Sequence, residues 1–173
     1  MTGSNLFRLG VSFIMYLIIQ VFVLKDLVLF GDAFCFLYVY AILLMPLEIK
    51  TVPLMLLGFL MGLVMDVFYD TPGMHVAGTV LLAFLRNPWI KVNTPRGGYD
   101  DNVPPTLLNM GLAWSTAYTL PLVLIHHTCF FYIDFMGTSF SHSLVIRILS
   151  SVLFTYVLAA IVQLLFYTKK KGI

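Results

Sequence analysis

Apolar residues occur in six long runs separated by short polar breaks, and this pattern constrains the fold more than any other feature of the sequence. A straight transmembrane helix needs about 20 mostly apolar residues, and the runs fall at about 8–24, 33–49, 51–69, 74–92, 106–133 and 143–167. Hydrophobic residues make up 60% of the chain and charged residues 10%, against about half and a quarter in soluble domains. The sequence therefore predicts an all-α integral membrane protein, with about six transmembrane helices in one bundle and a single polytopic domain over 1–173.

The distribution of basic residues predicts how this bundle lies in the membrane. Cytoplasmic loops carry an excess of Lys and Arg. With the N-terminus in the cytoplasm, only Lys25 and Arg147 lie outside, and the inner side receives Arg8, Lys50, Arg86, Lys91, Arg96, Lys169, Lys170 and Lys171. This bias requires an even number of spans, so we expect both termini to be cytoplasmic.

Several function classes fit the sequence poorly. A net charge of +2 is too small to indicate nucleic-acid binding. Cys35 and Cys129 lie inside apolar runs without a CxxC spacing and are interpreted as buried free thiols. Nucleophile-elbow, phosphate-loop and intramembrane-protease motifs are missing, so we expect neither an enzyme nor a cofactor.

The third apolar run carries the most informative motif. Gly58, Gly62, Asp66 and Asp70 are spaced four apart and form one stripe on a helix. Glycines at GxxxG spacing let another backbone approach closely, and a carboxylate on that stripe should face protein or water. The stripe is either a docking seam for a partner or ordinary packing inside the bundle, and Arg147 is the candidate ion-pair partner of Asp66.

A polar cluster is expected toward the outer side of the membrane, in the predicted topology. Its members are Asp70, His75, His126, His127, Asp134 and His142. Adjacent helical histidines point about 100° apart, and no HExxH spacing is present. We therefore expect no metal site and interpret the histidines as interfacial side chains that snorkel or form hydrogen bonds.

The longest polar stretch, 91–105, is rich in proline and glycine and is predicted to be a loop. It could dock a cytoplasmic protein, because it offers both charge signs on a flexible backbone, or it could be a solvated connector. The candidate docking residues are Lys91, Arg96, Tyr99, Asp100 and Asp101. The terminal lysines would anchor the last helix on anionic lipid.

Residues 58–85 resemble the signature region of the MreD family of rod-shape-determining proteins. The matching positions are Gly58, Gly62, Leu63, Asp66, Gly73 and Ala77. The resemblance implies a non-enzymatic component of the cell-elongation and peptidoglycan-synthesis machinery in the bacterial inner membrane. It implies association with the bitopic protein MreC and, through it, with the MreB filament, the RodA glycosyltransferase and a penicillin-binding transpeptidase. It also implies a fold similar to the six-helix substrate-binding subunits of energy-coupling-factor vitamin transporters.

Two hypotheses follow. In the first, the bundle is a scaffold that binds an MreC-like partner, and the stripe of Gly58, Gly62 and Asp66 supports that contact directly or by shaping the bundle. In the second, the bundle encloses a pocket for a vitamin-like small molecule, lined by the outer polar residues. A bundle interior filled with side chains would contradict the second hypothesis.

Overall fold

Helices dominate the structure, a computed structural model that describes residues 3–99, 103–136 and 142–169, with only the backbone described for 3–8. The long helices are α1 (Gly3–Ile19, continued by the π-helical turn Gln20–Leu24), α3 (Thr51–Tyr69), α4 (Met74–Val92), α6 (Leu112–Asp134) and α7 (His142–Phe166). Short helices are α2 (Val39–Leu43) and α5 (Leu107–Met110), and strands β1 (Val28–Leu29) and β2 (Ala33–Phe34) form a small antiparallel hairpin.

Three of these helices, α3, α6 and α7, are long and apolar enough to cross a membrane. Their outward faces are consistent with that role, because they expose large side chains such as Leu56, Val67, Leu153 and Leu165. The expectation of a mostly helical protein is confirmed, and so is the expectation of helices long and apolar enough to span a membrane.

Residues 33–49 do not form the continuous helix that the sequence predicts. After β2 the chain passes through turns into α2, only five residues long, and turns again at Pro46. Residues 35–45 are all buried. We call residues 33–45 the threaded segment. It is rich in aromatic side chains, which favour helix less than Leu or Ala, and its length and apolarity alone do not distinguish a buried irregular segment from a helix.

The threaded segment runs along the bundle beside α4, α6 and α7. Close to its start, the Phe34 N–H donates to Ser151 in the first half of α7, and close to its end, the Leu43 carbonyl oxygen accepts from Arg86 in the last third of α4. Two ends of the bundle can therefore be named. The turn end is where α3 joins α4 at 70–73, and the loop end is where α4 stops and α6 begins.

The remaining predicted boundaries lie close to the observed ones. Runs 51–69 and 74–92 coincide with α3 and α4, and 143–167 is shifted by one residue from α7. The run 106–133 is broken at Gly111, which separates α5 from α6. The run 8–24 corresponds to the larger part of α1 and its π-helical turn.

Candidate functional site

The glycines of the GxxxG motif lie in the contact between α3 and α4. A Cβ atom at Gly62 would stand 2.6 Å from the Val76 Cα atom, and one at Gly58 would stand 3.0 Å from the Thr79 carbonyl oxygen. The Thr79 hydroxyl also donates to the Gly58 carbonyl oxygen at 2.8 Å. The seam is therefore used for packing inside the bundle, and Leu63, which is 45% exposed, points away from it.

Asp66 locks the turn that follows this seam. It is 6% exposed. Its carboxylate accepts hydrogen bonds from the Thr71 hydroxyl at 3.0 Å and from the backbone N–H groups of Gly73, His75 and Val76 at 3.0, 2.8 and 3.1 Å. The first N–H groups of a helix lack intrahelical acceptors, and the partial positive charge there favours an anion. Asp66 thus supplies the N-terminal cap of α4 from the preceding helix.

The turn itself needs two left-handed residues. Asp70, directly after α3, has φ 55°, and Gly73, directly before α4, has φ 83°. Glycine adopts such angles without steric cost, and Asp is among the few other residues that tolerate them. The matched positions Gly58, Gly62, Asp66 and Gly73 therefore build one object, a tightly closed α3–α4 hairpin.

The predicted ion pair between Asp66 and Arg147 is wrong. Arg147 instead pairs with Asp32, its Nη2 lying 3.5 Å from the Asp32 Oδ1, and its guanidinium lies 5.6 Å from the centre of the Phe34 ring. Similar depth along two helices did not bring the groups together, because the carboxylate of Asp66 finds its donors within ten residues of its own chain. Arg147 fastens the β-hairpin to α7.

Side chains of the surrounding helices satisfy backbone groups of the threaded segment. The backbone N–H groups of Phe34 and Phe36 donate to the hydroxyls of Ser151 and Thr155 at 2.9 and 3.0 Å. Gln20 donates from Nε2 to the Cys35 carbonyl oxygen at 2.8 Å. Its Oε1 accepts from the backbone N–H of Tyr38 at 3.2 Å. Irregular backbone at membrane depth is tolerated where protein supplies such partners.

Arg86 satisfies backbone carbonyl groups at the other end of the threaded segment. It is completely buried, and its Nη2 donates to the carbonyl oxygens of Leu43 at 3.3 Å and of Met45. Its Nε donates to the Tyr118 hydroxyl at 2.7 Å, and that hydroxyl donates to the Leu43 carbonyl oxygen at 2.8 Å. Within the described residues, every hydrogen bond that Arg86 donates ends on an uncharged oxygen. The guanidinium therefore caps the end of α2.

Three of the predicted outer polar residues meet in the core. Tyr38, His75, His126 and His127, here called the histidine cluster, are all completely buried. The Tyr38 hydroxyl lies 2.8 Å from His75 Nδ1 and 2.9 Å from His126 Nε2. One ring nitrogen accepts from this hydroxyl and the other donates to it, which two neutral imidazoles can do. The cluster is a polar contact between the threaded segment, α4 and α6.

The rest of the cluster ties α6 to α7. His127 Nδ1 lies 2.8 Å from the Val123 carbonyl oxygen, and His127 Nε2 lies 3.1 Å from the Thr155 hydroxyl. The remaining nitrogens, His75 Nε2 and His126 Nδ1, have no hydrogen-bond partner within the described residues. In that part of the chain no three His, Cys, Asp or Glu side chains are placed to hold a metal ion.

The interpretation of an outer, interfacial histidine group is therefore wrong for His75, His126 and His127. The other predicted members, Asp70, Asp134 and His142, are exposed on helix ends. The difference has a physical reason, since the imidazoles find hydrogen-bond partners inside the bundle, and the irregular backbone brings Tyr38 within reach of two of them.

The candidate docking loop is partly fastened to the bundle. Lys91 and Arg96 are exposed, whereas the Tyr99 hydroxyl donates to the Ile90 carbonyl oxygen at 3.0 Å. The Tyr99 ring packs edge-on against Trp114, with centroids 5.8 Å apart. Asp100 and Asp101 lie outside the described residues.

Sequence reasoning missed Gln20 and Tyr38 as functional residues and interpreted Arg86 only as a marker of orientation. Gln20 and Arg86 are polar side chains inside long apolar runs. Such residues are costly in lipid and therefore face protein. Their position in the sequence was the available indication that something other than lipid lies beside them.

Comparisons of the chain with protein-family models, curated proteins and solved structures gave no match.

Proposed function

We propose that this chain is a non-enzymatic membrane scaffold of the bacterial cell-elongation complex, in the manner of the MreD proteins that it resembles. It would cross the inner membrane six times with both termini in the cytoplasm, and the threaded segment would be the second crossing. Its direct partner would be an MreC-like bitopic protein, which would connect it with the MreB filament, the RodA glycosyltransferase and a penicillin-binding transpeptidase.

The observation that carries this proposal is the α3–α4 hairpin. The residues of the resemblance converge on it: the glycines close the seam and the Asp66 carboxylate locks the turn. Because the glycine face is occupied by α4, the opposite face of α3 is left for a partner. That face exposes Leu56, Leu60, Leu63 and Val67, which recur at helical spacing.

A rigid hairpin with an apolar outer face suits a bitopic partner. Transmembrane helices associate through close packing, because lipid is as apolar as the side chains. A surface that keeps its shape before binding loses less conformational freedom on binding. We therefore place the MreC-like transmembrane helix along the outer face of α3, with the glycine stripe acting by shaping the bundle.

The alternative, a vitamin-binding transporter subunit, is less well supported. It assigns the bundle interior to a ligand, whereas that interior holds the Phe36 ring. The Phe36 centroid lies 5.1 Å from those of His75 and His127 and 4.8 Å from that of Phe130.

The test is affinity purification of the tagged protein in mild detergent from the cells that make it. We expect recovery of a bitopic MreC-like protein with the wild type and a clear loss with Leu63→Trp, because a bulky ring on the outer face of α3 prevents close packing. Leu153→Trp on α7, where Leu153 is 61% exposed, is the matched control and should retain the partner.

Two outcomes would contradict the proposal at different levels. Full retention by Leu63→Trp would exclude this face of α3 as the docking surface. Recovery of transporter ATPases by the wild type, without a bitopic partner, would exclude the scaffold function. Melting temperatures of both tryptophan variants should equal that of the wild type, which separates lost docking from lost folding.

A further inference from the structure

An open cleft of about 410 Å³ lies at the loop end of the bundle, between the connection from α2 to α3 and the last turns of α4. Its polar lining consists of Glu48, Lys50, Thr51, Asn87 and Lys91. The three charged side chains are exposed. The cleft therefore presents two cationic groups and one carboxylate to whatever occupies it.

The walls of the cleft are held in place by hydrogen bonds. The Asn87 Nδ2 donates to the Ile49 carbonyl oxygen at 2.9 Å and to the Thr51 hydroxyl at 3.0 Å. These bonds fasten the beginning of α3 to the last third of α4. The neighbouring Arg86 binds the carbonyl oxygens at the end of α2, so both sides of the connection are anchored.

Aromatic anchors place the cleft at the level of a membrane surface. Trp89 and Trp114 lie at the same end of the bundle, and each indole N–H donates to a backbone carbonyl oxygen, at 3.1 Å to Ala117 and at 2.9 Å to Asn93. Tryptophan is enriched at the boundary between lipid and water. A membrane-inserted bundle would thus present this cleft to lipid head groups.

An apolar surface continues from the cleft along α3. Val52 and Leu56, in the first two turns of that helix, are 68% and 60% exposed. Acyl chains of a lipid whose head group sits in the cleft would lie against these side chains. The combination of a charged cleft and an adjoining apolar face fits a phospholipid better than a free polar solute.

We propose that this cleft binds the head group of an aminophospholipid such as phosphatidylethanolamine. Lys50 and Lys91 contact the phosphate, and Glu48 accepts hydrogen bonds from the primary ammonium group. Basic sites at the cytoplasmic ends of transmembrane helices attract lipid phosphates. The carboxylate adds selectivity, because a primary ammonium has three N–H donors, whereas the quaternary ammonium of phosphatidylcholine has none.

This inference rests on the membrane insertion proposed above and not on the MreC-like partner. It is tested by native mass spectrometry of the purified protein with equal amounts of phosphatidylethanolamine, phosphatidylglycerol and phosphatidylcholine. We expect the wild type to retain phosphatidylethanolamine most strongly. The double variant Lys50→Gln/Lys91→Gln should lose about tenfold or more of this retention, since each lysine near a lipid phosphate contributes measurably to binding.

The matched control is Lys25→Gln/Arg96→Gln, which removes the same charge outside the cleft lining and should retain phosphatidylethanolamine as the wild type does. Glu48→Gln should shift the preference from phosphatidylethanolamine toward phosphatidylglycerol, because it removes the acceptor for the ammonium and the repulsion of an anionic lipid. A loss of retention without this shift would refute the role of Glu48.

Three further outcomes would overturn the inference. In the first, the cleft variant and the control retain equal amounts of phosphatidylethanolamine. In the second, the wild type retains phosphatidylcholine as strongly as phosphatidylethanolamine. In the third, excess inorganic phosphate displaces the lipid, which would identify a site for the free anion. The purified sample contains no MreC-like protein, so none of these results tests the scaffold proposal.

Discussion

Replacing Asp66 by asparagine should weaken the fold more than any other loss of a single charge at the turn end. In the native turn, Oδ1 accepts from the Thr71 hydroxyl and the His75 N–H, and Oδ2 accepts from the N–H groups of Gly73 and Val76. Asparagine keeps one acceptor oxygen and places an NH₂ group against the other two donors. Hydrogen bonds to charged groups contribute about 1.5–3 kcal/mol each, so at the lower end of this range the loss of two costs about 3 kcal/mol.

For a chain of 173 residues, each kcal/mol corresponds to about 2–4 °C in melting temperature. We therefore expect Asp66→Asn to melt about 6–12 °C below the wild type. Melting is measured by tryptophan fluorescence, with both proteins in the same detergent. Asp70→Asn is the matched control, because Asp70 is exposed four residues away and asparagine also tolerates its left-handed backbone. Its melting temperature should stay within about 2 °C. Equal melting of the two variants would refute the capping role.

Two further variants test the seam and the histidine cluster by the same assay. Gly62→Ala places a Cβ atom 2.6 Å from the Val76 Cα atom and should cost about 1–3 kcal/mol by overpacking. Its control is Gly10→Ala, whose Cβ atom would have no other atom within 4 Å. This variant should melt no lower than the wild type. Tyr38→Phe leaves two more buried ring nitrogens without partners and should cost about 2–6 kcal/mol, at about 1–3 kcal/mol for each nitrogen. Tyr132→Phe, at a 59% exposed side chain, should be neutral. A native melting temperature for either core variant would contradict the packing described for it.

The hairpin was predictable from the sequence because its determinants are local. The runs 51–69 and 74–92 are bounded by Lys50 and by the Asp70 turn, which polar and turn-forming residues mark directly. The GxxxG spacing indicated a close backbone approach, and α4 makes that approach. The sequence left open whether the approaching helix belonged to the bundle or to a partner, because both produce the same pattern.

The threaded segment was not predictable in the same way. A run of apolar residues signals burial, and burial in lipid and burial in protein give the same composition. The distinction lies in where the backbone hydrogen bonds go, and those partners are far away in sequence: Gln20 precedes the segment, whereas Arg86, Ser151 and Thr155 follow it at long distance. The same reasoning explains why the histidines were placed at the surface, since Tyr38 reaches them only from an irregular backbone.

The threaded segment links the surrounding helices to one another, because several of them hold its backbone groups. Gln20 from the first helix, Arg86 from α4, Tyr118 from α6 and Thr155 from α7 each hold a backbone group of residues 33–45. A buried backbone group left without a hydrogen-bond partner costs about 1–3 kcal/mol, and moving one helix away would leave at least one such group unpaired. The interior therefore resists rearrangement, while the outer faces of the helices stay apolar and unchanged. A platform of fixed shape with an apolar outside is what the proposed scaffold function requires.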